Sequence, residues 1–299
     1  MGFGAWSEDR GTIKVSGAEA ESFLQGLISN DITKAEPSRA IYAALLTPQG
    51  KFLHDFFIIR WEEGYFLDCA ADRRADLMTR LKRYKLRSKV DLADKSEEWR
   101  TGIAWGEDAL TALGLPAQAG AAVPAGEGVA YTDPRHPALG ARLLVPAAVA
   151  SAQAAPDGLE PADPASHDLL RVSLGIADGA RDLEMDRSFL LESGFDELNG
   201  IDWNKGCYVG QEVTARTKYR GLVRRRLTPV DIHGQPENDD RKIMADGKNV
   251  GELRALYDGK GLALLRLEAL NNESTLTCGG ANLAPHVPDW WQLPEAAAE

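Results

Sequence analysis

Apolar residues in the first hundred positions follow a strand-like spacing in four places. The run GTIKVSG (11–17) predicts one strand. The runs AIYAALL (40–46), FLHDFFIIR (52–60) and YFLDC (65–69) are rich in β-branched and aromatic residues, and turn sequences separate them. They predict a hairpin followed by a third strand.

Helical spacing occurs on either side of this hairpin. Ser16 is a candidate N-cap for a helix whose apolar face carries Ala20, Phe23, Leu24, Leu27 and Ile28. A second helix is predicted over 72–86, and KVDLA (89–93) predicts another strand after it. The first hundred residues therefore predict a sheet with helices packed on it.

The pattern changes twice further along the chain. Residues 107–165 are rich in Ala, Pro and Gly, which predicts a loop-rich subdomain with short strands, and Ser166 is a candidate cap for a helix at 167–175. Beyond Gly221 the runs are short and β-like. Asp-Gly pairs at 246–247 and 258–259 mark hairpin turns. This last region predicts a small barrel or a sandwich.

Composition narrows the class of protein. The chain has 299 residues, is 44% apolar and has no apolar run long enough to span a bilayer. Its first residues lack the layout of a signal or transit peptide, so we expect a cytoplasmic location and no membrane partner. Three widely spaced cysteines do not indicate a disulfide framework.

Charge is distributed unevenly. The formal net charge of −11 argues against non-specific coating of nucleic acid, and no direct nucleic-acid partner is expected. Residues 73–89 nevertheless hold eight basic residues and one acid, and residues 205–226 hold seven and one. If the fold brings these segments together, they would attract one anionic ligand. The alternative is that each is an ordinary solvated face.

Common catalytic motifs are absent from the sequence. It contains no Walker A run, HExxH or GxSxG. No two cysteines have metal-ligand spacing, and the five histidines are scattered. We therefore expect no autonomous metal site.

One cysteine stands in an unusual setting. Cys207 lies in NKGCYVGQE (204–212), between Gly206 and Gly210, with Lys205 two residues before it. The glycines permit positive φ and close backbone approach, and nearby cations stabilise a thiolate. A reactive or metal-binding thiol is the preferred interpretation. The alternative is a small buried hydrophobe.

The same segment resembles a known family. NGIDWNKGCYVGQEVTARTKYRGLVRRRL (199–227) is similar to the K-G-C-Y-x-G-Q-E signature of the YgfZ family and of the related mitochondrial iron–sulfur assembly factors, which are relatives of the glycine cleavage T-protein. Further similar segments occur in family order, at 23–32, 45–59, 84–90, 133–144 and 171–183. The resemblance covers essentially the whole chain.

The resemblance implies an α+β, T-protein-like fold in which three subdomains surround a central opening and the C-terminal subdomain is a β-barrel. Residues 1–220 would form the folate-binding region, with one subdomain at about 1–100 plus part of 165–220 and another at about 101–165. Residues 221–299 would form the barrel. The expected ligand is tetrahydrofolate or a one-carbon-substituted folate.

The implied function is tetrahydrofolate-dependent assembly or repair of [4Fe–4S] enzymes, including radical-SAM tRNA-modifying enzymes. Partners would be folate and iron–sulfur client or assembly proteins. Whether the chain has an enzymatic activity of its own is left open. The alternatives are a folate-dependent aminomethyltransferase-like activity and a non-catalytic folate-binding scaffold.

Individual roles follow from the same resemblance. LLESGF occupies the place of the T-protein segment that contains the pterin-binding glutamate, and this resemblance assigns that role to Glu192. The chemistry agrees, because a carboxylate can accept two parallel hydrogen bonds from a pterin. His54-Asp55 replaces an Asp-Asp pair, so one carboxylate remains and a cysteine-centred role is favoured over glycine cleavage. Cys207, Lys205 and Asp55 are the candidate reactive residues. The candidate folate-binding residues, besides Glu192, are Gln25, Ser29, Asn30, Tyr208, Gln211, Glu212 and Arg216.

Three of these residues also have structural interpretations. Asp55 lies in a buried hairpin and is as readily structural as catalytic. Ser29 and Asn30 could simply cap and turn the end of the first helix.

Overall fold

The computed structural model describes residues 1–150, 155–156, 158–236, 241–270 and 274–292. The chain forms two compact units. The first unit consists of Met1–Pro48, Leu53–His167 and Leu198–Val209. The second unit consists of Gln49–Phe52, Asp168–Glu197 and Gly210–Glu299.

Two sheets form the framework of the first unit. Their strands are β1 Phe3–Trp6, β2 Arg10–Ser16, β3 Ile41–Leu46, β4 Phe52–Trp61, β5 Gly64–Ala70, β6 Asp91–Asp94, β7 Trp99–Trp105, β8 Ala122–Ala125, β9 Gly128–Thr132, β10 Ala141–Pro146 and β11 Glu160–Pro161. One sheet has the order β3-β4-β5-β2-β6, and the other has the order β11-β1-β7-β10-β9-β8. The helices of this unit are α1 Ala20–Gln25, α2 Arg74–Lys85 and α3 Ala109–Ala112, with 3-10 turns at Ile32–Lys34 and Pro137–Leu139.

The strands predicted at 40–46, 52–60 and 65–69 are confirmed as β3, β4 and β5. Every residue of β3 and β5 is buried, as are the first eight of β4. Burial of both faces explains why these strands read as nearly continuous apolar runs without alternation.

Local predictions around α1 were less accurate. The helix ends at Gln25, so Leu27 and Ile28 are buried beyond it, and Ser16 is the last residue of β2. Glu19 occupies the N-cap position and makes no side-chain capping bond. The apolar spacing identified which residues are buried but not where the helix stops.

The described part of residues 107–165 contains more regular structure than the composition predicted. Strand β8 pairs with β9, and β9 pairs with β10. Strand β10 also pairs with β7, and β7 pairs with β1 near the N-terminus. Ala and Gly have low β-propensity, so this segment forms strands because pairing with distant strands supplies the backbone hydrogen bonds and the burial.

The second unit contains a closed barrel. Its strands are β12 Arg225–His233, β13 Lys242–Ala245, β14 Lys248–Tyr257, β15 Lys260–Arg266, β16 Leu276–Cys278 and β17 Ala281–Pro285, in the order β12-β15-β14-β13-β16-β17. The remaining helices of the chain are α4 Pro164–Ser173, α5 Gly179–Asp182, α6 Gln211–Tyr219 and α7 Leu267–Leu270, with a 3-10 turn at Leu191–Ser193. A single apolar cluster that includes Val230, Ile243 and Leu265 fills the barrel.

The Asp-Gly hairpin turns are confirmed. Asp246 and Gly247 have φ angles of 48° and 74°, and Asp258 and Gly259 have 43° and 77°. Positive φ at both central residues is the geometry of a type I′ turn, whose twist matches that of antiparallel strands. Of the two architectures that the pattern allowed, barrel or sandwich, the barrel is the one present.

The compact units differ from the predicted boundary at 220/221. Residues 168–197 and 210–220 group with the barrel and not with the sheets that precede them. Within the described residues, no helix is both long and apolar enough to cross a membrane.

Candidate functional site

The cysteine signature is divided between the two units. Residues Leu198–Val209, which we call the signature loop, belong to the first unit. Gly210 and the helix α6 that follows it belong to the second. Gly210 has a φ of 85°, so the chain changes direction through a left-handed residue before α6 begins.

Lys205 anchors the signature loop. Its Nζ donates hydrogen bonds to the backbone oxygens of Gln25 (2.8 Å), Ile28 (2.6 Å) and Asn30 (2.8 Å). An ammonium group has three N–H donors, and all three are used. These oxygens lie at and just beyond the C-terminal end of α1, where backbone acceptors lack helical partners.

Burial is the main electrostatic influence on Lys205. The side chain is only 7% exposed, and this burial lowers its pKa to about 8, although Asp31 and Asp202 act in the opposite direction. Its Nζ also lies 5.0 Å from the ring centroid of Tyr208. Because its donors are taken up by carbonyl oxygens, the geometry favours a positioning role for Lys205. Its predicted action on the Cys207 thiolate stays a prediction.

Asp202 shapes the loop on the N-terminal side of Lys205. Its Oδ1 accepts hydrogen bonds from the backbone N–H groups of Asn204 (2.7 Å) and Lys205 (3.1 Å), and its other oxygen is paired with Lys34. Burial opposes ionisation, yet Lys34 and the two N–H groups hold the pKa of Asp202 below its usual value. Sequence analysis missed this residue, although an aspartate two residues before a backbone turn is a recognisable signal.

Ser29 and Asn30 bind the other end of the loop. The Ser29 hydroxyl donates to the oxygen of Gly200 (2.6 Å), and the Asn30 amide donates to the oxygens of Tyr42 and Asn199 (2.8 Å each). Both side chains are buried. These three bonds end on the backbone of the signature loop and of β3 in the same unit, and none of them caps the end of α1 as the structural alternative had it.

Gln25 completes this contact region. Its amide nitrogen donates to Asp31 Oδ1 (3.0 Å), and its amide oxygen accepts from the backbone N–H of Ile32 (2.9 Å). The predicted folate-binding roles of Gln25, Ser29 and Asn30 stay predictions.

Cys207 is exposed, whereas Cys69 and Cys278 are buried. The buried side chain of Tyr208 follows it directly, and the Val209 N–H donates to the oxygen of Gly26. The thiol therefore projects from a loop that is fixed on both sides of it.

The two glycines around Cys207 differ in their requirements. Gly206 does not have a positive φ, and a Cβ built on it would meet no atom within 4 Å. Gly210 does require the left-handed conformation. The positive φ that glycine permits is therefore used at Gly210 and not at Gly206, which lies in open space.

Asp55 and His54 are bound to different partners. The hydroxyl of Tyr42 donates to Asp55 Oδ2 (2.8 Å), and Asp55 is 8% exposed. His54 Nε2 lies 2.8 Å from Asp76 Oδ2 on α2. Successive residues of a strand point to opposite faces, so the substituted position and the retained carboxylate do not share a face of the sheet. Burial is the main reason that the pKa of His54 is lowered.

A cavity of about 400 Å³ lies beside the signature loop within the first unit. Residues Asn199 to Asn204 form one side of it, and Asn30, Tyr42 and Arg39 contribute to the rest. Amide, hydroxyl and guanidinium groups in its lining suit a small polar ligand. Sequence analysis did not predict this cavity, because its walls come from distant segments.

The other predicted residues belong to the second unit. Glu192, in the Leu191–Ser193 turn, accepts two hydrogen bonds from Arg225, from Nε to Oε1 (3.0 Å) and from a terminal nitrogen to Oε2 (3.2 Å). Gln211, Glu212 and Arg216 lie on α6. The Glu192 carboxylate, which is predicted to bind a pterin, is thus already bound by the planar guanidinium of Arg225 in a bidentate arrangement.

The described residues contain no group of three or more His, Cys, Asp or Glu side chains arranged to hold a metal ion.

Comparisons with known proteins agree with the sequence resemblance. Residues 8–114 match the model of the GCVT N-terminal domain, and residues 224–293 match that of the CAF17 C-terminal beta-barrel domain. The human iron–sulfur cluster assembly factor IBA57, mitochondrial, is 32% identical to this chain over an alignment 318 residues long. The alignment covers 96% of this chain and 86% of that protein. The chain belongs to the IBA57 family of iron–sulfur cluster assembly factors. The predicted family is confirmed.

Fungal members of the IBA57 family are longer. The mitochondrial IBA57 homologues of Mycosarcoma maydis and Neurospora crassa are 36% and 37% identical to this chain and align with 75% and 83% of it. The chain spans 56% of the length of each.

The fold has a solved counterpart. The aminomethyltransferase T of the glycine cleavage system from Bartonella henselae superposes with a TM-score of 0.76 over 97% of this chain and 86% of that chain, at 15% identity. The T-protein-like fold is therefore confirmed as a fold.

The expected cytoplasmic location is contradicted. The curated relatives are named as mitochondrial factors. Composition and folded structure reflect solubility and packing, and these physical properties do not distinguish the two compartments.

Only one of the three thiols should react rapidly in the folded protein. Cys207 is exposed, burial raises the pKa of the Cys69 thiol to about 12, and Cys278 is buried in the barrel. In a time course with iodoacetamide at neutral pH, mass spectrometry should find one modification first, at Cys207. Cys207→Ser should abolish the fast phase, and rapid modification of Cys69 without denaturant would contradict the structure.

Replacing Lys205 with Met should destabilise the protein. The change leaves three backbone oxygens without their donor, so the free energy of unfolding should fall by about 1–3 kcal/mol in urea titrations. Lys82→Met, on the exposed side of α2, is the matched control and should change it by less than about 0.5 kcal/mol. An unchanged stability with a slower alkylation of Cys207 would mean that Lys205 acts on the thiolate and not on the backbone.

Proposed function

We propose that this chain is a tetrahydrofolate-dependent accessory factor in the assembly or repair of [4Fe–4S] enzymes and acts through Cys207. The observation that carries the proposal is the exposed thiol of Cys207 on a loop held by the three hydrogen bonds of Lys205. Membership of the IBA57 family supports the iron–sulfur part.

In this role the iron–sulfur cluster is cargo. Cys207 would lose its proton and ligate one iron as thiolate, and the other positions would be filled by a partner protein or a small thiol. A fixed loop suits this task, because a thiol presented in one place loses little conformational freedom on binding. Asp202 and Lys205 would position the loop without touching the cluster.

Folate binding would use the carboxylate of Glu192. Arg225 now makes two parallel hydrogen bonds to it, and the N3–H and 2-amino groups of a pterin present the same donor pattern. A pterin would therefore exchange with the Arg225 guanidinium, which is 45% exposed and can swing into solvent. The predicted role of Asp55, which the Tyr42 hydroxyl holds within the first unit, stays a prediction.

The proposed clients include radical-SAM enzymes that modify tRNA, whose [4Fe–4S] clusters require assembly. Two other functions compete with this proposal, namely aminomethyl transfer and a purely scaffolding role. The experiments below distinguish them from it.

Cys207→Ser should fold normally and fail to support client enzymes. In cells lacking the endogenous factor, the parent protein should restore the [4Fe–4S] content and activity of a radical-SAM tRNA-modifying enzyme, and the variant should not. The buried Cys278→Ala is the control: it creates no exposed change and should complement. Full complementation by Cys207→Ser would remove the thiol from the mechanism and leave a folate scaffold.

Glu192→Gln should weaken folate binding. The change places an amide donor where the carboxylate accepted, which should cost about 1–3 kcal/mol in affinity for tetrahydrofolate by calorimetry. Glu36→Gln, an exposed substitution in the first unit, should bind like the parent. Equal affinity of the Glu192 variant and the parent would place folate elsewhere, and formation of a methylene-folate product from an aminomethyl donor would favour the transferase.

A further inference from the structure

The barrel surface carries a basic groove, and Arg225 is the one lining residue that also enters the proposed function. The groove has a volume of about 930 Å³ and lies entirely within the second unit. Six exposed cationic residues contribute to its lining: Arg187, Arg224, Arg225, Arg241, Lys242 and Arg266. Its acidic lining residues are Glu252 and Glu268. A local excess of positive charge is unusual in a chain whose formal net charge is −11.

Two of the arginines are directly opposed. Arg225 of β12 pairs in register with Arg266 of β15. Like charges at opposite positions of an antiparallel pair repel each other and destabilise it. Glu192 neutralises Arg225, but its two bonds go to Arg225 alone. An anionic ligand in the groove would relieve the remaining repulsion.

The arginines of the groove differ in how far they are engaged. Arg225 is bound to Glu192, Arg187 to Glu184, and Arg241 to the backbone oxygen of Arg254. Among the described residues, the guanidinium groups of Arg224 and Arg266 make no ion pair. Each presents five N–H donors in a fixed planar arrangement that suits a carboxylate.

The rest of the lining favours a peptide over a nucleic acid. No aromatic side chain is among its described residues, although stacking on aromatic rings is the usual means of holding single-stranded bases. Glu268 would repel a continuous phosphate backbone, whereas a peptide can place its carboxylates individually. Val250 and Leu264 add apolar surface for aliphatic side chains between those carboxylates.

We propose that the basic groove is a docking site for an acidic peptide segment of a partner protein, whose Asp and Glu carboxylates pair with Arg224 and Arg266. The groove belongs to the unit that does not contain Cys207. Docking would hold the partner independently of thiol chemistry, so this inference does not depend on the proposed function.

The test measures binding of a fluorescein-labelled, α-linked hexaglutamate to the full-length protein by fluorescence anisotropy. The parent should bind it, and hexaglutamine should not compete. Affinity should fall as ionic strength rises, because the Debye length shortens from about 10 Å at 0.1 M to about 3 Å at 1 M. No binding at low ionic strength would overturn the proposal.

Charge reversal locates the site. Arg224→Glu with Arg266→Glu should weaken binding at least about tenfold. The neutral pair Arg224→Gln with Arg266→Gln should weaken it less. Neither double variant should melt below the parent, because both positions are exposed and each change removes the repulsion between Arg225 and Arg266. Lys82→Glu with Arg83→Glu, the same charge change on α2 in the first unit, is the matched control. If the control loses as much affinity for the hexaglutamate, the effect comes from the overall charge of the protein, and the assignment of the binding site to the groove is overturned.

Two competing probes distinguish other ligands. A γ-linked hexaglutamate has the same carboxylates in the linkage of a folate tail, and tighter binding of it than of the α-linked peptide would replace the protein partner with folate. Tighter binding of oligo-dT, lost in the Arg224 and Arg266 variants, would assign the groove to nucleic acid. Preference for the α-linked peptide supports the proposal.

Discussion

The three hydrogen bonds from Lys205 to the backbone oxygens of Gln25, Ile28 and Asn30 are the constraint on which the candidate site depends. They join two segments that lie far apart in sequence, the end of α1 and the signature loop. Ser29 and Asn30 add bonds in the opposite direction, from their side chains to the loop backbone at Gly200 and Asn199. A buried ammonium is costly unless it is fully paired, so this arrangement tolerates few alternatives.

That constraint explains how an exposed cysteine can be held in a defined position. The signature loop is buried at Lys205 and at Tyr208, and only Gly206 and Cys207 between them are exposed. Conformational freedom is removed by the neighbours of the thiol and not by the thiol itself. Cys207 therefore stays exposed while the backbone on both sides of it is fixed, and this suits the ligation proposed for it.

Charge serves different purposes in different parts of the chain. In the first unit, basic residues of 73–89 form local ion pairs, as Arg80 does with Asp76 and Arg74 with Asp94, and this agrees with the solvated-face alternative for those residues. In the second unit, cationic side chains gather in a groove on the barrel. The predicted convergence of 73–89 with 205–226 stays a prediction.

Much of the molecule was determined by the sequence itself: the central strands β3 to β5, the Asp-Gly hairpins and the family signature around Cys207. Apolar spacing, turn chemistry and a specific motif are local properties, and each can be read from a few consecutive residues. The tertiary structure alone decided the rest. It joined strands β8 to β10 to the sheet by pairing β10 with β7, and it bound Lys205 to distant carbonyl oxygens. It also paired Arg225 with Glu192 and placed Arg266 opposite Arg225. These outcomes depend on which distant residues meet, and that is fixed only when the chain has folded around its buried core.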